Sequence, residues 1–394
     1  MTIGGRIVLK AGRDGPVRGG NPWIFSQAIA HADPSTLAAG EWVEVRAAGG
    51  DVMGCGYYNP NTTIAVRMLA FGAVPNPGEV IAERLHSALA LRKRIISEDT
   101  NCYRLINGEG DMLPGVVADL YGDVVVLQLL TAGAERMRDE IADGLHENLT
   151  PRAIVERSHG AVRRQEGLAD RSGLLAGELP PETIVSENGI RLAIDLEHGQ
   201  KTGYFLDQRE NRLIAKHLAR DARVLDGYCY AGGFALAALT GNARQVVAVD
   251  TSERALSRAR RNLELNGYGA AACELVHGET ARYLAECDQR FDLVVLDPPA
   301  LARSLKDAER AGHLYVELNA IAMKAVARGG SLMTFSCSVH FRGEDFMRAV
   351  RIAQTKARRN FRLVRHLGPG GDHPALLGHP EGEYLSGVLL SELE

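Results

Sequence analysis

Five short apolar runs, each ending at a turn, recur between residues 223 and 337. The runs are RVLD (223–226), QVVAVD (245–250), CELVHGE (273–279), FDLVVLD (291–297) and SLMTFSC (331–337). Stretches with helical character, such as SERALSRARRNLELNG and YVELNAIAMKAVARGG, separate them. Buried strands that alternate with helices are typical of a doubly wound, mostly parallel, Rossmann-like α/β sheet.

The chain before this region has a different pattern. Residues 1–73 contain short strand-like runs, RIVLK, EWVEVRA and IAVRML, broken by Gly, Pro and Asn, which predict a small β-rich domain. After the turn GAVPNPGE, IAERLHSALALRKRIIS has its apolar residues at a helical period, and GDVVVLQLLTAGAERMRDEIADGL predicts a strand followed by a helix. We therefore expect three domains, at 1–73, 74–190 (a middle α/β domain) and 191–394.

Composition restricts the class of protein. The 394 residues are 45% hydrophobic and 24% charged, as in ordinary globular proteins. No apolar run approaches the roughly 18 residues that span a bilayer, and the N-terminus lacks the apolar core of a signal peptide. We expect a cytoplasmic protein with no membrane partner.

Cysteine and histidine spacing give no support for a metal site. The six cysteines contain no C-x-x-C pair, and the twelve histidines form no H-x-x-x-H pair. A cytoplasmic location also argues against disulfides. We expect neither a metal nor a disulfide framework.

Four of the five runs end in an acid and the fifth ends in a cysteine. These residues are Asp226, Asp250, Glu279, Asp297 and Cys337. Ligands of doubly wound sheets bind outside the carboxyl ends of the strands, so one edge should hold all five. For any single acid, a helix N-cap is an equally good explanation.

The turn LDGYCYAGGFALAAL after the first run would let a ligand approach the backbone. It lacks the G-x-G-x-x-G spacing of dinucleotide-binding folds, so a nicotinamide oxidoreductase is disfavoured. Asp250 ends the second run, where a carboxylate can accept hydrogen bonds from both ribose hydroxyls and would repel a 2′-phosphate.

These residues resemble a known motif series. DGYCYAGGF (226–234), VD (249–250), GE (278–279) and DPP (297–299) are similar to the motifs of class I S-adenosylmethionine (SAM) methyltransferases. The resemblance implies SAM as the cofactor, and Glu279 stands where the series usually has Asp. The implied cofactor-binding residues are Asp226, Tyr228, Tyr230, Gly232, Asp250 and Glu279.

The resemblance extends across nearly the whole chain. GNPWIFSQAI (20–29) resembles the start of a PUA domain, a small RNA-binding β-barrel. HGQKTGYFLDQR and PEGEYLSG resemble segments of the RlmI-type ribosomal RNA large-subunit methyltransferases, which methylate carbon 5 of a cytosine. The implied partner is large-subunit ribosomal RNA. Gln208 and Arg209 resemble residues packed beside the SAM site, although Arg209 fits a plain structural ion pair equally well.

Cys337 has a defined role in the implied chemistry. Carbon 5 of cytosine is a poor nucleophile until a thiolate adds to carbon 6, so the resemblance assigns Cys337 as nucleophile and Asp297 as its partner at N3 and the exocyclic amine. The alternative is a buried, inert thiol. Cys229 is expected only to pack within the cofactor turn. Ala300 occupies the position after DPP, where some RNA cytosine-C5 methyltransferases have a second cysteine.

Basic segments suggest where RNA would bind. They are LRKR (91–94), AVRR (161–164), RARR (258–261) and KARRNFRLVRH (356–366), each of which is otherwise a solvated helix face. We expect phosphate contacts from some of the residues Arg92, Lys93, Arg94, Arg163 and Arg164. Trp23 or Tyr57 would stack on bases, but a core position is the better interpretation of Trp23.

Two other functions remain open at this point. A guanine N-methyltransferase would need no thiol, and its relatives carry an asparagine-containing motif after the fifth strand, where this chain has SCS. A non-catalytic RNA-binding assembly factor could retain the same fold. Strand edges in the β-rich domain would also permit a homodimer.

Overall fold

A computed structural model describes residues 2–302, 305–338 and 340–393 of the chain. The chain divides into two compact units. The first unit comprises residues 1–185, 194–206 and 371–382, and the second comprises 186–193, 207–370 and 383–394. Among the described residues, no helix is both long enough and apolar enough to cross a membrane.

The first unit begins with a six-stranded sheet in the order β2-β6-β5-β4-β1-β3. Its elements are β1 (Ile3–Leu9), α1 (Gly15–Arg18), β2 (Trp23–Phe25), β3 (Ile29–Asp33), β4 (Glu41–Arg46), β5 (Val52–Tyr58) and β6 (Ile64–Phe71). Alternate residues such as Ile7, Val43 and Val66 are fully buried in its core. The β-rich pattern predicted for this region is therefore confirmed.

A second, five-stranded sheet follows in the order β11-β10-β9-β8-β7. Its elements are α2 (Pro77–Ile95), β7 (Cys102–Asn107), β8 (Val116–Tyr121), β9 (Val124–Leu129), α3 (Ala132–Arg136), α4 (Arg138–Leu149), β10 (Ala153–Ser158), α5 (Ala161–Gln165) and β11 (Arg171–Gly177). Asn76 caps α2 by accepting a hydrogen bond from the Gly78 N–H at 2.9 Å, and Pro77 suits the first helical position. This sheet and its helices form the predicted middle α/β region.

The remaining elements include a two-stranded sheet and a seven-stranded sheet. They are β12 (Thr183–Glu187), β13 (Ile190–Ile194), α6 (Arg209–Leu218), β14 (Arg223–Gly227), α7 (Gly233–Thr240), β15 (Gln245–Asp250), α8 (Glu253–Leu265), β16 (Cys273–His277), α9 (Thr280–Glu286), β17 (Phe291–Leu296), α10 (Ala308–Ala325), β18 (Val326–Ser336), α11 (Glu344–Ala357), β19 (Phe361–Leu367) and β20 (Ser386–Glu392).

The seven-stranded sheet has the order β16-β15-β14-β17-β18-β20-β19. β14 to β18 run parallel, and β20 is antiparallel to both of its neighbours. The strand order reverses on either side of β14, which is the switch point where such sheets bind ligands. All five predicted strands are therefore confirmed, and their carboxyl ends share one edge.

The structure differs from the pattern at the start of β18. The stretch YVELNAIAMKAVARGG predicts a helix throughout, but α10 ends at Ala325 and the strand begins at Val326. Gly329 has a φ of 69°, and the register against β17 shifts here, so the segment forms a bulge. Glycine permits this backbone, which the helical periodicity before it does not reveal.

Candidate active site

The turn between β14 and α7 has an unusual backbone. Tyr228, Tyr230 and Gly232 all have positive φ angles, of 64°, 47° and 77°. Side chains from neighbouring elements hold this conformation: Thr280 Oγ1 accepts the Tyr228 N–H at 3.2 Å, and Asp250 Oδ2 accepts the Tyr230 N–H at 2.9 Å. Non-glycine residues rarely adopt such angles unless neighbouring groups stabilise them, so the hydrogen bonds to Thr280 and Asp250 account for the conformation of this turn.

Asp226 lies beneath this turn and is almost completely buried. Its Oδ2 accepts the Ala235 N–H at 2.8 Å, while Oδ1 has no hydrogen-bond partner among the residues the structure describes. Burial raises the pKa of Asp226 from 3.8 to about 7, and the charges of Asp297 and Asp250 add to the rise. A buried carboxylate oxygen of this kind suits a cationic ligand group.

Asp250 and Glu279 end the next two strand segments without serving as side-chain helix caps. Asp250 Oδ1 accepts the Ser252 N–H at 2.9 Å, and it is Ser252 that caps α8. Glu279 stands at the N-cap position of α9, but its side chain makes no capping hydrogen bond and is exposed. The N-cap explanation is therefore wrong for these two side chains.

These groups fit a SAM molecule. Asp226 Oδ1 would face its cationic methionine portion, and Asp250 and Glu279 offer acceptors for the ribose and adenine. A Cβ at Gly232 would lie 3.1 Å from the Cβ of Ala259, so the turn passes close to α8 where a larger residue would crowd it. The turn that lies next to Asp226 and Asp250 is formed by the backbone of Tyr228, Tyr230 and Gly232.

Gln208 and Arg209 occupy the start of α6 and are both buried. Gln208 Oε1 accepts a hydrogen bond from Asn211 Nδ2 at 2.6 Å, and an Arg209 Nη2 lies 3.7 Å from the Glu210 carboxylate. Their predicted part in holding SAM stays a prediction.

Arg212, on the same helix, was not found by sequence reasoning. It forms two hydrogen bonds of 2.6 Å with Glu187, both residues being buried, and its positive charge acts against the raised pKa of Asp226. An arginine in an amphipathic helix gives no signal of such a partner in the sequence, because the two residues lie 25 positions apart.

Cys337 and Asp297 lie at the adjoining ends of β18 and β17. The two strands pair in parallel, with Leu296 opposite Thr334. The half-buried Cys337 Sγ lies 3.6 Å from the carbonyl oxygen of Pro298, the residue after Asp297. The backbone nitrogen of Asp297 lies 3.4 Å from the Gly227 carbonyl oxygen, so this end of β17 contacts the start of the turn between β14 and α7. We call that turn, residues 228–232, the cofactor turn.

Buried hydroxyl groups fix the turn that contains Cys337. Ser336 Oγ donates to the Phe341 carbonyl at 2.8 Å, and Ser338 Oγ accepts the Ala302 N–H at 3.2 Å. The Tyr315 hydroxyl of α10 lies 3.3 Å from Ser338 Oγ. Tyr315 also escaped sequence reasoning, since a tyrosine in a helix usually indicates only packing.

Cys229 is the second cysteine near this edge. It is buried within the cofactor turn, as expected, and burial raises its pKa well above the ordinary value. A thiol that remains protonated in this way is a poor nucleophile, so Cys229 is not an alternative to Cys337.

Three of the predicted RNA contacts are wrong. Arg92 and Arg163 are buried and form ion pairs with Asp111 and Glu135, with shortest N–O distances of 2.5 and 2.7 Å. Tyr57 is fully buried, and its hydroxyl lies 2.7 Å from Thr131 Oγ1. All three side chains stabilise the first unit and cannot reach RNA.

The other predicted contacts have mixed surroundings. Lys93, Arg94 and Arg164 are exposed and remain predictions. Trp23 is only half-buried, so it is not a simple core residue. Its indole N–H donates to Glu109 at 2.8 Å, and its ring meets the His379 ring edge-on at 4.4 Å.

Comparison with known proteins agrees with this architecture. The model of an S-adenosylmethionine-dependent methyltransferase family matches residues 112–332, and a PUA-like domain model matches residues 7–71. The fold resembles that of a Streptococcus mutans protein assigned as a SAM-dependent methyltransferase, with a TM-score of 0.83 at 20% identity, over 99% of this chain and 100% of that one.

Two relatives are more similar in sequence. Ribosomal RNA large subunit methyltransferase I of Alteromonas mediterranea is 37% identical over 98% of both chains. The protein of the same name from Photobacterium profundum is 39% identical over 97% of this chain and 98% of its own. This chain therefore belongs to the S-adenosylmethionine-dependent methyltransferases, in the family of the ribosomal RNA large subunit methyltransferase I proteins.

Proposed function

We propose that this protein methylates carbon 5 of a cytosine in large-subunit ribosomal RNA, with Cys337 as a covalent nucleophile and Asp297 as its partner. The relatives' names support the RNA substrate. The main support for the chemistry is the 3.6 Å contact between Cys337 Sγ and the Pro298 carbonyl oxygen, because it sets a thiol directly beside the Asp-Pro-Pro turn.

The proposed reaction begins with the Cys337 side chain. The Cys337 thiolate forms a bond to C6 of the cytosine, and the electron pair of the C5–C6 double bond moves to C5. SAM supplies an electrophilic methyl group. Once C5 carries the methyl group and S-adenosylhomocysteine remains, the C5 proton passes to a base, its electron pair restores the C5–C6 double bond, and the Sγ–C6 bond breaks to release the Cys337 thiolate.

Asp297 would hold the base during these steps. A half-buried carboxyl group can hydrogen-bond to N3 and the exocyclic amine, and a proton placed at N3 favours addition of sulfur to the ring. Pro298 and Pro299 restrict the backbone after Asp297, which limits the movement of the carboxyl group. A target base would have to leave its stack to reach this edge.

The first test uses large-subunit ribosomal RNA that contains 5-fluorocytosine, together with SAM. Fluorine at C5 cannot leave as a proton does, so the wild-type protein should remain covalently attached to RNA under denaturing conditions. Cys337→Ala should form no adduct. Cys287→Ala is the matched control, because Cys287 is the other half-buried cysteine and lies at the end of α9.

Each of the other outcomes contradicts the proposal in a different way. If wild type transfers methyl groups without forming an adduct, and Cys337→Ala retains this activity, the methyl group goes to a nitrogen and the thiol is structural. If wild type transfers no label from tritiated SAM to RNA, the protein is a non-catalytic RNA-binding factor.

A further inference from the structure

The basic segment KARRNFRLVRH (356–366) has no part in the proposed chemistry. In the structure it begins at the end of α11, continues through the turn and enters β19. This turn lies where β17 and β18 begin, at the edge of the sheet opposite to Cys337.

Four arginines line a cavity of about 400 Å³ at this opposite edge. Arg290 precedes β17, Arg328 lies in the bulge of β18, and Arg358 and Arg359 follow α11. Glu392 at the end of β20 is the cavity's one carboxylate among the described lining residues. Four positive charges against one negative charge leave an excess of three.

Glu392 holds part of this cavity in place. Its Oε2 accepts the Gly329 N–H at 2.8 Å, and its Oε1 accepts the Arg359 Nε–H at 3.0 Å. The pKa of Glu392 lies below its usual range because of these two bonds, so the carboxylate stays ionised and occupied. Glu392 therefore holds the bulge at Gly329, and the neighbouring Arg328 side chain is exposed beside it. The sequence does not predict this bulge.

Among the residues that the structure describes, the other three arginines form no close ion pair, although Arg290 Nη1 donates to the carbonyls of Asp288 and Gln289 at 3.2 Å and the charge of Arg328 acts on Glu392 from a distance. Within the described part of the chain, no carboxylate lies within 4 Å of the guanidinium groups of Arg290, Arg328 or Arg358. All three are exposed. A cation near the C-terminus of α11 is favourable, which accounts for Arg358, whereas Arg290 and Arg328 keep a full positive charge exposed at the cavity.

The arginine-rich lining of this cavity favours a phosphate ligand. Guanidinium groups match the geometry of phosphate oxygens with paired hydrogen bonds. Among the described residues that line it there is no aromatic side chain on which a base would stack, so recognition of the backbone is favoured over recognition of bases.

The distance to the reaction centre excludes the modified nucleotide itself. β17 spans the sheet between the cavity and the Asp297 turn, and its six residues at about 3.3 Å each give about 20 Å. At about 3.4 Å for each stacked nucleotide, a straight path would take about six nucleotides, and RNA that passes around the buried strand needs at least that many.

We propose that the cavity formed by Arg290, Arg328, Arg358 and Arg359 binds a backbone phosphate of the substrate RNA, at least about six nucleotides away from the modified base. This inference rests on the proposed function, because it takes RNA as the substrate. It implies that the protein distinguishes a short target hairpin from a longer RNA through a contact far from the thiol.

The test measures binding of the full-length protein to two RNAs by fluorescence anisotropy. One RNA ends within six nucleotides of the target cytosine, and the other extends well beyond that distance. The variant combines Arg328→Ala with Arg358→Gly, since glycine suits the φ of 54° at residue 358. It should weaken binding of the long RNA about tenfold and reduce the salt dependence by about one to two phosphate contacts.

The control is Arg244→Ala, which removes one positive charge nearby and is compared with the single variant Arg328→Ala. Arg244 lies just before β15 and already pairs with Asp292 at 3.4 Å, and it does not line the cavity. Its loss should leave both affinities unchanged. Equal weakening by the control would overturn the inference, because any positive charge at this edge would then suffice.

Two further readouts separate the alternatives. Inorganic phosphate should compete with the long RNA for wild type and not for the double variant. If phosphate binds but the variant leaves long-RNA affinity unchanged, the ligand is a free anion and the RNA assignment is wrong. Analysis of 5-methylcytosine in the same samples tests the proposed chemistry separately, so either proposal can fail alone.

Discussion

Asp226, which is predicted to bind SAM, should couple cofactor binding to pH. Burial raises its pKa to about 7, so the carboxyl group is largely protonated in slightly acid solution. A cation beside Oδ1 favours the ionised form. The proton must therefore leave before the cationic cofactor is held well.

The expected result is that wild-type affinity for SAM falls up to tenfold per pH unit as the pH decreases below about 7. Asp226→Asn should bind SAM more weakly and show little change between pH 5.5 and 7. Calorimetry in two buffers of different ionisation enthalpy would detect the released proton. Identical pH profiles for the two proteins would show that Asp226 does not titrate on binding.

The same group affects the stability of the cofactor-free protein in the opposite sense. The folded state binds this proton more tightly than the unfolded state does, because the pKa is 3.8 in a free side chain and about 7 here. Its contribution to stability is therefore largest below the lower value and decreases as the pH rises to about 7. Asp226→Asn should remove this dependence from the unfolding free energy measured with urea.

At the scale of elements, α10 fixes the turn that contains Cys337. Tyr315 stacks on Phe341 with ring centres 5.1 Å apart, and its hydroxyl lies 3.3 Å from Ser338 Oγ. Tyr315 is fully buried, and its hydroxyl is already engaged with the turn that contains Cys337. We expect it to act as a positioning residue for the thiol.

Tyr315→Phe should lower kcat about fivefold, since it removes one hydrogen bond of about 1 kcal/mol and keeps the ring stacking. SAM affinity should not change, because the cofactor turn is untouched. Tyr268→Phe, in the turn after α8, is the control and should leave kcat unaltered. A Tyr315→Phe enzyme with normal kcat would show that the hydroxyl only contributes to packing.

Elements whose signal is local are predictable from the sequence. The five strands were predictable because each is a short run of buried apolar residues ending at a turn, and the edge acids followed from those ends. Arg92 and Arg163 were misassigned because their partners, Asp111 and Glu135, lie 19 and 28 positions away. Tyr315 and Arg212 were missed for the same reason, since only the folded chain brings their partners near.

At the scale of the whole molecule, the chain passes between the two units five times. Residues 371–382 return to the first unit, where the buried Asp372 accepts the Arg104 N–H through Oδ2 at 2.9 Å. Its backbone carbonyl accepts a hydrogen bond from Arg92 Nη2 at 2.7 Å. A segment near the end of the sequence therefore completes the unit formed mainly by the beginning.

Asp372→Ala should lower the unfolding free energy by about 2 kcal/mol, because it removes a buried carboxylate and leaves the half-buried Arg104 N–H without its acceptor. Urea denaturation followed by circular dichroism would measure the change. Asp51→Ala should cost less than about 0.5 kcal/mol, since Asp51 is exposed and pairs only with exposed Arg18. Equal effects of the two substitutions would contradict this account of the 371–382 segment.

The late position of these segments affects how the protein can fold during its synthesis. β20 lies between β18 and β19, so β19 has no described strand neighbour until residues 386–392 have been made. The first unit likewise lacks residues 371–382 until these residues have been made, long after residues 1–185. Domains commonly fold one after another as they emerge. Here neither unit should reach its final structure before residues 371–392 have left the ribosome.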